Sequence, residues 1–419
     1  MVKKILGIIL VFALVTLYIY LWFVNPARHH LRFQDTHLNT HLLVHADASF
    51  QDYVNASHAM VKQARQRGGV DYSDKVVAEN APVIMMPDEK ICKKSADNRY
   101  ENGVLLIHGL LDSTYTMQYL GQFFQQKCFV VYIVLLPGHG TVPGDLLHVS
   151  YHDWVNVTHF AVNRLTPQVK NTFIMGYSLG GLLAINEVLE SPGLFKAAIL
   201  FGPALGINSP YTSLVRPVYE LSQFVPRLQW LSLRNDDINV RYESYPVNSV
   251  YQIIKLMNKV HSQLSRRSIE VPIFMQQSAD DMTIDPLMNL EFFEKNLNGS
   301  SKLLWYSQNP ADKHLTDMRI KLIDGSVPEM KILDMSHLSY LLPEADPIYG
   351  MNGSYHDCLY YTEQSAEWLQ CKKGVDNFLG ENTPENVKTH LLQRLSFNPF
   401  DKQMFDELGK FVDSVAKIN

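Results

Sequence analysis

The chain has 419 residues, 46% of them hydrophobic and 19% charged, and carries a formal net charge of -5 at pH 7. That is the composition of an ordinary globular protein, long enough for one large or two small domains. Negative charge without a basic stripe interleaved with aromatics gives no case for nucleic acid, and neither an internal repeat nor a low-complexity tract is present.

The first element is an uncharged run at 5–24 that follows Lys3 and Lys4. At about 1.5 Å per residue it reaches roughly 30 Å, the thickness of a bilayer core. Tyr18, Tyr20 and Trp22 crowd its far end, as interfacial aromatics do. No small-x-small cleavage site follows, so 1–24 is expected to be an uncleaved transmembrane signal anchor. Lys3 and Lys4 favour an inside N-terminus, which places the rest of the chain on the exported, periplasmic or extracytoplasmic side. Residues 25–79 are polar and His-rich, and are expected to form a stalk or packing helix. His37, His41 and His45 share one face if helical, but no Cys or carboxylate completes a metal shell, so no metal is expected.

From residue 80 to 419 the chain reads as one catalytic domain. Short apolar runs at 82–86, 103–107, 129–135, 172–175, 197–201, 272–276 and 330–333 are expected to be buried strands. Helical patterns at 117–126, 151–165, 179–190 and 286–296 separate them. Alternation of this kind predicts an α/β fold with a mostly parallel sheet and helices on both faces. Ligands then bind at the carboxyl ends of the strands. The interval 204–268 lacks a clear strand, and its apolar residues recur at helix spacing. It is expected to be a helical cap. Cys358 and Cys371, close in sequence, are the expected disulfide pair among four cysteines.

The chemistry centres on Gly176-Tyr177-Ser178-Leu179-Gly180-Gly181. An apolar run before it and a helical pattern after it fit a nucleophile elbow, in which the serine sits on a sharp strand-to-helix turn. A serine hydroxyl needs an imidazole to take its proton, and the imidazole needs a third group to orient it. Among sixteen histidines, His337 is the expected base because it follows the strand-like run at 330–333. Asp280 and Asp281 follow the run at 272–276 and are candidates for the acid. Asp285, followed by Pro286, reads instead as a helix N-cap. The backbone N–H of Leu179 and that of Leu110, which follows His108-Gly109, are the expected oxyanion donors. His108 itself is expected to shape the loop.

His108-Gly109, Pro137-Gly138-His139-Gly140, Tyr151-His152-Asp153-Trp154 and Gly176-Tyr177-Ser178-Leu179-Gly180-Gly181 together resemble the α/β-hydrolase superfamily. They are most similar to its carboxylesterase, monoacylglycerol-lipase and lysophospholipase-like group. The resemblance covers about residues 100–340 and recurs at 394–399. That group's Asp-x-x-Val/Ile pattern is matched by Asp281-Met282-Thr283-Ile284, which selects Asp281 over Asp280. The resemblance implies a serine esterase or lipase with a Ser178–His337–Asp281 triad, acting on acyl esters, lipid-derived ones above all, without a cofactor. Thioester cleavage or acyl transfer on the same triad is the alternative, and an inactive hydrolase fold used for binding is a third reading. The chain departs from the group in its anchor and stalk, in the long interval from Asp281 to His337, and in a further stretch after His337 that carries Cys358 and Cys371.

Overall fold

The computed structural model describes residues 15–16, 27, 30–38, 47–309, 312 and 315–416. The run expected to cross a membrane lies outside the described residues except for 15–16, as do His41 and His45. Among the described residues, no helix is long and apolar enough to cross a membrane, and no group of three or more His, Cys, Asp or Glu side chains could hold a metal ion.

Among the described residues ten strands precede His337: β1 (Val83–Met85), β2 (Tyr100–Ile107), β3 (Phe129–Val134), β4 (Val169–Tyr177), β5 (Phe195–Phe201), β6 (Trp230–Ser232), β7 (Tyr245–Pro246), β8 (Ile273–Ser278), β9 (Lys302–Tyr306) and β10 (Ile320–Ile323). Eight of them make one sheet in the order β1-β3-β2-β4-β5-β8-β9-β10. Only β1 runs antiparallel to its neighbour. All six positions of β3 are buried, because both faces of the sheet are covered.

Successive residues of each strand serve opposite faces. Leu105, Ile107, Tyr132, Ile174 and Leu200 pack with Trp154, Leu165, Leu182 and Leu183 of helices Tyr151–Leu165 and Leu179–Glu190. Val104, Leu106, Val131, Phe173 and Ile199 pack with Leu120 and Phe124 of helix Gln118–Gln126 and with Met404 and Leu408 of helix Asp401–Ala416. Two of the helix starts are fixed by their caps. Ser150 and Asp153 form a capping box, and Asp285 accepts from Leu287 N and Met288 N at 3.0 and 3.2 Å, as its proline-following position implied.

The segment 330–333 is not a strand of this sheet. A 3-10 turn occupies Pro328–Met330, and Ile332 bridges only Val327 and Leu379. The sheet is instead completed by β9 and β10, which account for the long interval between Asp281 and His337. Neither was among the expected strands: Lys321 breaks the apolar run of β10, whereas that of β9, at 303–306, is unbroken.

Ahead of the sheet, helices Phe50–Gly68 and Asp74–Asn80 pack on the body. Phe50 stacks on Tyr132 at 3.9 Å, and Tyr53 Oη donates to Leu135 O at 2.8 Å. The interval 204–268 holds helix Val215–Ser222, the β6/β7 hairpin and helix Val247–Leu264. After His337, β11 (Phe378–Gly380) and β12 (Leu392–Arg394) form a small parallel sheet. Cys358–Cys371 is a disulfide, and so is Cys92–Cys128.

Candidate active site

Ser178 stands between the end of β4 and helix Leu179–Glu190 with φ 54° and ψ -116°. A non-glycine residue in such a conformation costs about 1–3 kcal/mol and persists only where its surroundings fix it. Here they do. Ser178 N donates to Phe201 O at 2.9 Å, and Ser178 O accepts from Ala204 N at 3.0 Å and Leu182 N at 3.1 Å. The turn is also too tight for side chains beside the serine. A Cβ on Gly176 would lie 2.0 Å from Gly180 O, and one on Gly180 would lie 2.1 Å from Ile107 O.

His337 Nε2 lies 3.0 Å from Ser178 Oγ, and His337 Nδ1 lies 2.7 Å from Asp281 Oδ2. The structure therefore brings the three expected residues into one hydrogen-bonded line. His337 begins a 3-10 turn, His337–Tyr340, rather than the strand-end loop expected. Asp281 sits past the end of β8, where its Oδ1 accepts from Thr283 N at 2.9 Å and Ile284 N at 2.8 Å. Burial pushes its carboxyl up, but the His337 charge and hydrogen bond together with the two backbone N–H groups outweigh that and hold it below its ordinary value. Asp280 makes no such contact, and burial raises it to about 6.

His108 is fully buried. Its Nε2 accepts from Leu136 N at 3.1 Å while Nδ1 faces Gly109 O at 2.8 Å. An imidazole that accepts at one nitrogen and donates at the other is neutral, and burial keeps it so. It joins two loops and has no free nitrogen for proton transfer. Leu110 lines the cavity beside Ser178. Leu179 N is the first amide of its helix, ahead of the first helical bond from Leu182 N to Ser178 O.

The cavity above Ser178 and His337 has a volume of about 590 Å³. Its far wall comes from the cap, through Leu214, Val215, Val218, Leu231, Val250 and Ile253. One acid enters this apolar lining. Glu243 has no hydrogen-bond partner for Oε1. Burial first, then Asp237 and the acids at 357 and 236 against the pull of Lys372, raises its carboxyl to about 8.

Four residues around the line had no role assigned from the sequence, although Tyr177 lies in the elbow motif and Arg394 opens the recurrence at 394–399. Tyr340 Oη donates to Asp281 Oδ2 at 3.1 Å, and Tyr177 Oη donates to His337 O at 3.0 Å. Glu381 and Arg394 reach the His337 loop from the stretch that follows it, Glu381 by accepting from His337 N and Arg394 through Glu381. No local pattern marks such contacts, because each spans from tens to more than a hundred residues.

A family model described as serine aminopeptidase, S33 matches residues 99–309. A thermostable monoacylglycerol lipase of Bacillus sp. (strain H-257) is 26% identical over 185 residues, which cover 44% of this chain and 72% of that protein. Phospholipase YtpA of Bacillus subtilis (strain 168) is 22% identical over 206 residues, 45% of this chain and 80% of that protein. Among solved structures, that of the metagenome-derived lipolytic enzymes LipS and LipT aligns with a TM-score of 0.45 and 22% identity, over 54% of this chain and 86% of the other.

Proposed function

The chain belongs to the serine aminopeptidase, S33 family and has the α/β-hydrolase fold, and from that premise we propose that it is a carboxylic ester hydrolase acting through Ser178, His337 and Asp281. The observation that carries this reading is the unbroken line from Ser178 Oγ through His337 to Asp281 beneath a 590 Å³ apolar cavity. The names of the two Bacillus relatives support lipid-derived acyl esters as the substrate class.

In the proposed cycle His337 Nε2 takes the Ser178 proton as Oγ attacks the ester carbonyl. Asp281, ionised at neutral pH, holds Nδ1–H and stabilises the imidazolium. The backbone N–H groups of Leu110 and Leu179 meet the developing oxyanion. The alcohol leaves with the proton from His337, and water activated by the same imidazole releases the acid. The cap wall takes the acyl chain. Thioesters and acyl transfer use the same atoms and differ in leaving group and acceptor.

We place the catalytic domain on the exported side of a membrane, tethered by 5–24. The two disulfides support that reading, since such bonds persist in oxidising compartments. Protease added outside intact cells digests the domain if this is right and spares it if the domain faces inward.

Hydrolysis of an ester series of graded acyl length tests the activity. Medium and long chains are expected to be cleaved faster than acetate, and Ser178→Ala to lose turnover by ~10⁴-fold or more. Equal fluorophosphonate labelling of wild type and Ser178→Ala would reject the nucleophile.

A further inference from the structure

His337 has no sheet strand behind it. Its loop is held instead by the stretch that follows it, where this chain departs from the hydrolases it resembles. Leu333 N donates to Leu379 O at 2.8 Å, and Leu379 N donates to Lys331 O at 2.9 Å. One residue past β11, Glu381 turns a fully buried carboxylate under the loop and accepts the backbone N–H of His337 at 3.0 Å.

That carboxylate is met by Arg394 at the end of β12. Arg394 Nη2 donates to Glu381 Oε2 at 2.8 Å, and Arg394 Nε lies 2.7 Å from Glu381 Oε1 as an ion pair without hydrogen-bond geometry. The same Nη2 donates to Thr283 Oγ1 at 2.7 Å, two residues beyond Asp281, and Thr283 N donates to Asp281 Oδ1. A single guanidinium thus spans the loop that carries His337 and the loop that carries Asp281. Arg394 is itself seated by the extension, since its N–H donates to Asp357 O at 2.9 Å, beside the Cys358–Cys371 disulfide.

A buried ion pair is weak evidence for stability, because apolar groups of the same volume often do as well or better. Apolar groups cannot, however, fix the direction of one backbone N–H, and a carboxylate that accepts it while held by a buried guanidinium can. Accuracy of that kind matters at a proton-transfer site, where an error of about 1 Å costs on the order of 10² in rate. Resting on the reading of Ser178, His337 and Asp281 as a triad, we infer that Glu381 and Arg394 are positioning residues that clamp the His337 loop to the Asp281 loop. The pair is overall neutral, so it sets geometry with little change in field at the imidazole.

Glu381→Gln and Arg394→Lys, made in the full chain, test this. The readouts are kcat and KM on one soluble ester, the rate at which a small fluorophosphonate modifies Ser178, and the melting temperature. Glu381 is not on the cavity wall, so its replacement leaves the acyl contacts in place. For Glu381→Gln, kcat and the phosphonylation rate are expected to fall together by about 10- to 100-fold, with KM within about twofold. Arg394→Lys keeps the charge and loses Nη2, which reaches both Glu381 and Thr283; because Arg394 lines the cavity, this variant is read by the phosphonylation rate with the small reagent, which is expected to fall, and not by KM. It also supplies the measurement if Glu381→Gln does not fold. A folded Glu381→Gln with wild-type kcat and phosphonylation overturns the clamp, and so does a loss carried wholly by KM. Ser178→Ala separates the two readings. If it stays active, the triad itself is wrong. If it is inert while Glu381→Gln is unimpaired, only the clamp is wrong.

Discussion

Asp281 faces His337 with one carboxylate oxygen, 2.7 Å from Nδ1, while its other oxygen accepts the backbone N–H groups of Thr283 and Ile284. The two oxygens have separate tasks. Oδ1 is held by the chain, so Oδ2 points at the imidazole without the freedom to turn away. The same contacts keep the carboxyl ionised despite its burial. Replacing Asp281 by Asn presents the imidazole with either a neutral acceptor or an N–H in the wrong place. Asp281→Asn is expected to lower kcat by ~10³–10⁴-fold with KM little changed, as read by steady-state hydrolysis of a soluble ester. A loss below about tenfold would mean that another group orients His337.

The depressed carboxyl of Asp281 also gives a direction to acid sensitivity. Its folded pKa lies below the unfolded value, so its contribution to stability is complete above the unfolded value and disappears as pH falls through the folded one. Glu243 works the other way. It stays protonated in the folded chain up to about 8, against 4.5 as its ordinary value. Between those two pH values the folded state binds the extra proton, so stability falls as pH rises. Glu243→Gln mimics the protonated acid and is expected to flatten that slope. Denaturant midpoints of wild type and variant at pH 5 and pH 8.5 check this, with the variant gaining on wild type at the higher pH.

Gly180 is fixed by backbone rather than by a movable side chain. Its added Cβ would lie 2.1 Å from Ile107 O and 2.7 Å from His108 O, at the end of β2 and the start of the loop that presents Leu110. Gly180→Ala is expected to destabilise by about 1–3 kcal/mol, as overpacking commonly does. It should also displace the proposed oxyanion donors and cost activity beyond the stability loss. Thermal unfolding alongside kcat at a temperature where the variant is folded separates the two effects.

The Cys358–Cys371 disulfide closes a 13-residue separation, for which the loop-entropy argument gives about 3 kcal/mol. The double replacement Cys358→Ser, Cys371→Ser is expected to lower stability by no more than that. It should also loosen the β11/β12 sheet that carries Glu381 and Arg394 toward the site. Faster amide exchange across 378–394 with β2 to β5 unchanged is the expected pattern; uniform exchange would tie the disulfide to the whole core.

Much of this molecule was legible along the chain because local rules cover it. The parallel core strands read as continuous apolar runs since both sheet faces are buried, and the helices at 151–165 and 286–296 begin at caps set by neighbours in sequence. The elbow glycines at 176 and 180 and the serine between them were likewise local. Asp281 and His337 needed the family pattern and chain order in addition, and the structure then placed His337 against Ser178 and Asp281 against His337.

What tertiary structure alone decided is how that line is held and what lies over it. The run at 330–333 looks like a strand by pattern but has no partner in the main sheet, because β9 and β10 take its place and β11 arrives from 45 or more residues away. Glu381 has no local pattern around it and Arg394 only the recurrence at 394–399, and the two become a buried pair only when β11 and β12 fold against the His337 loop. Apolar periodicity reports which face of an element is buried. It carries no record of which distant charge will meet which backbone N–H, since that is fixed by packing in three dimensions. In this protein the sequence determined the nucleophile and its scaffold, and the tertiary structure determined how the base is aimed.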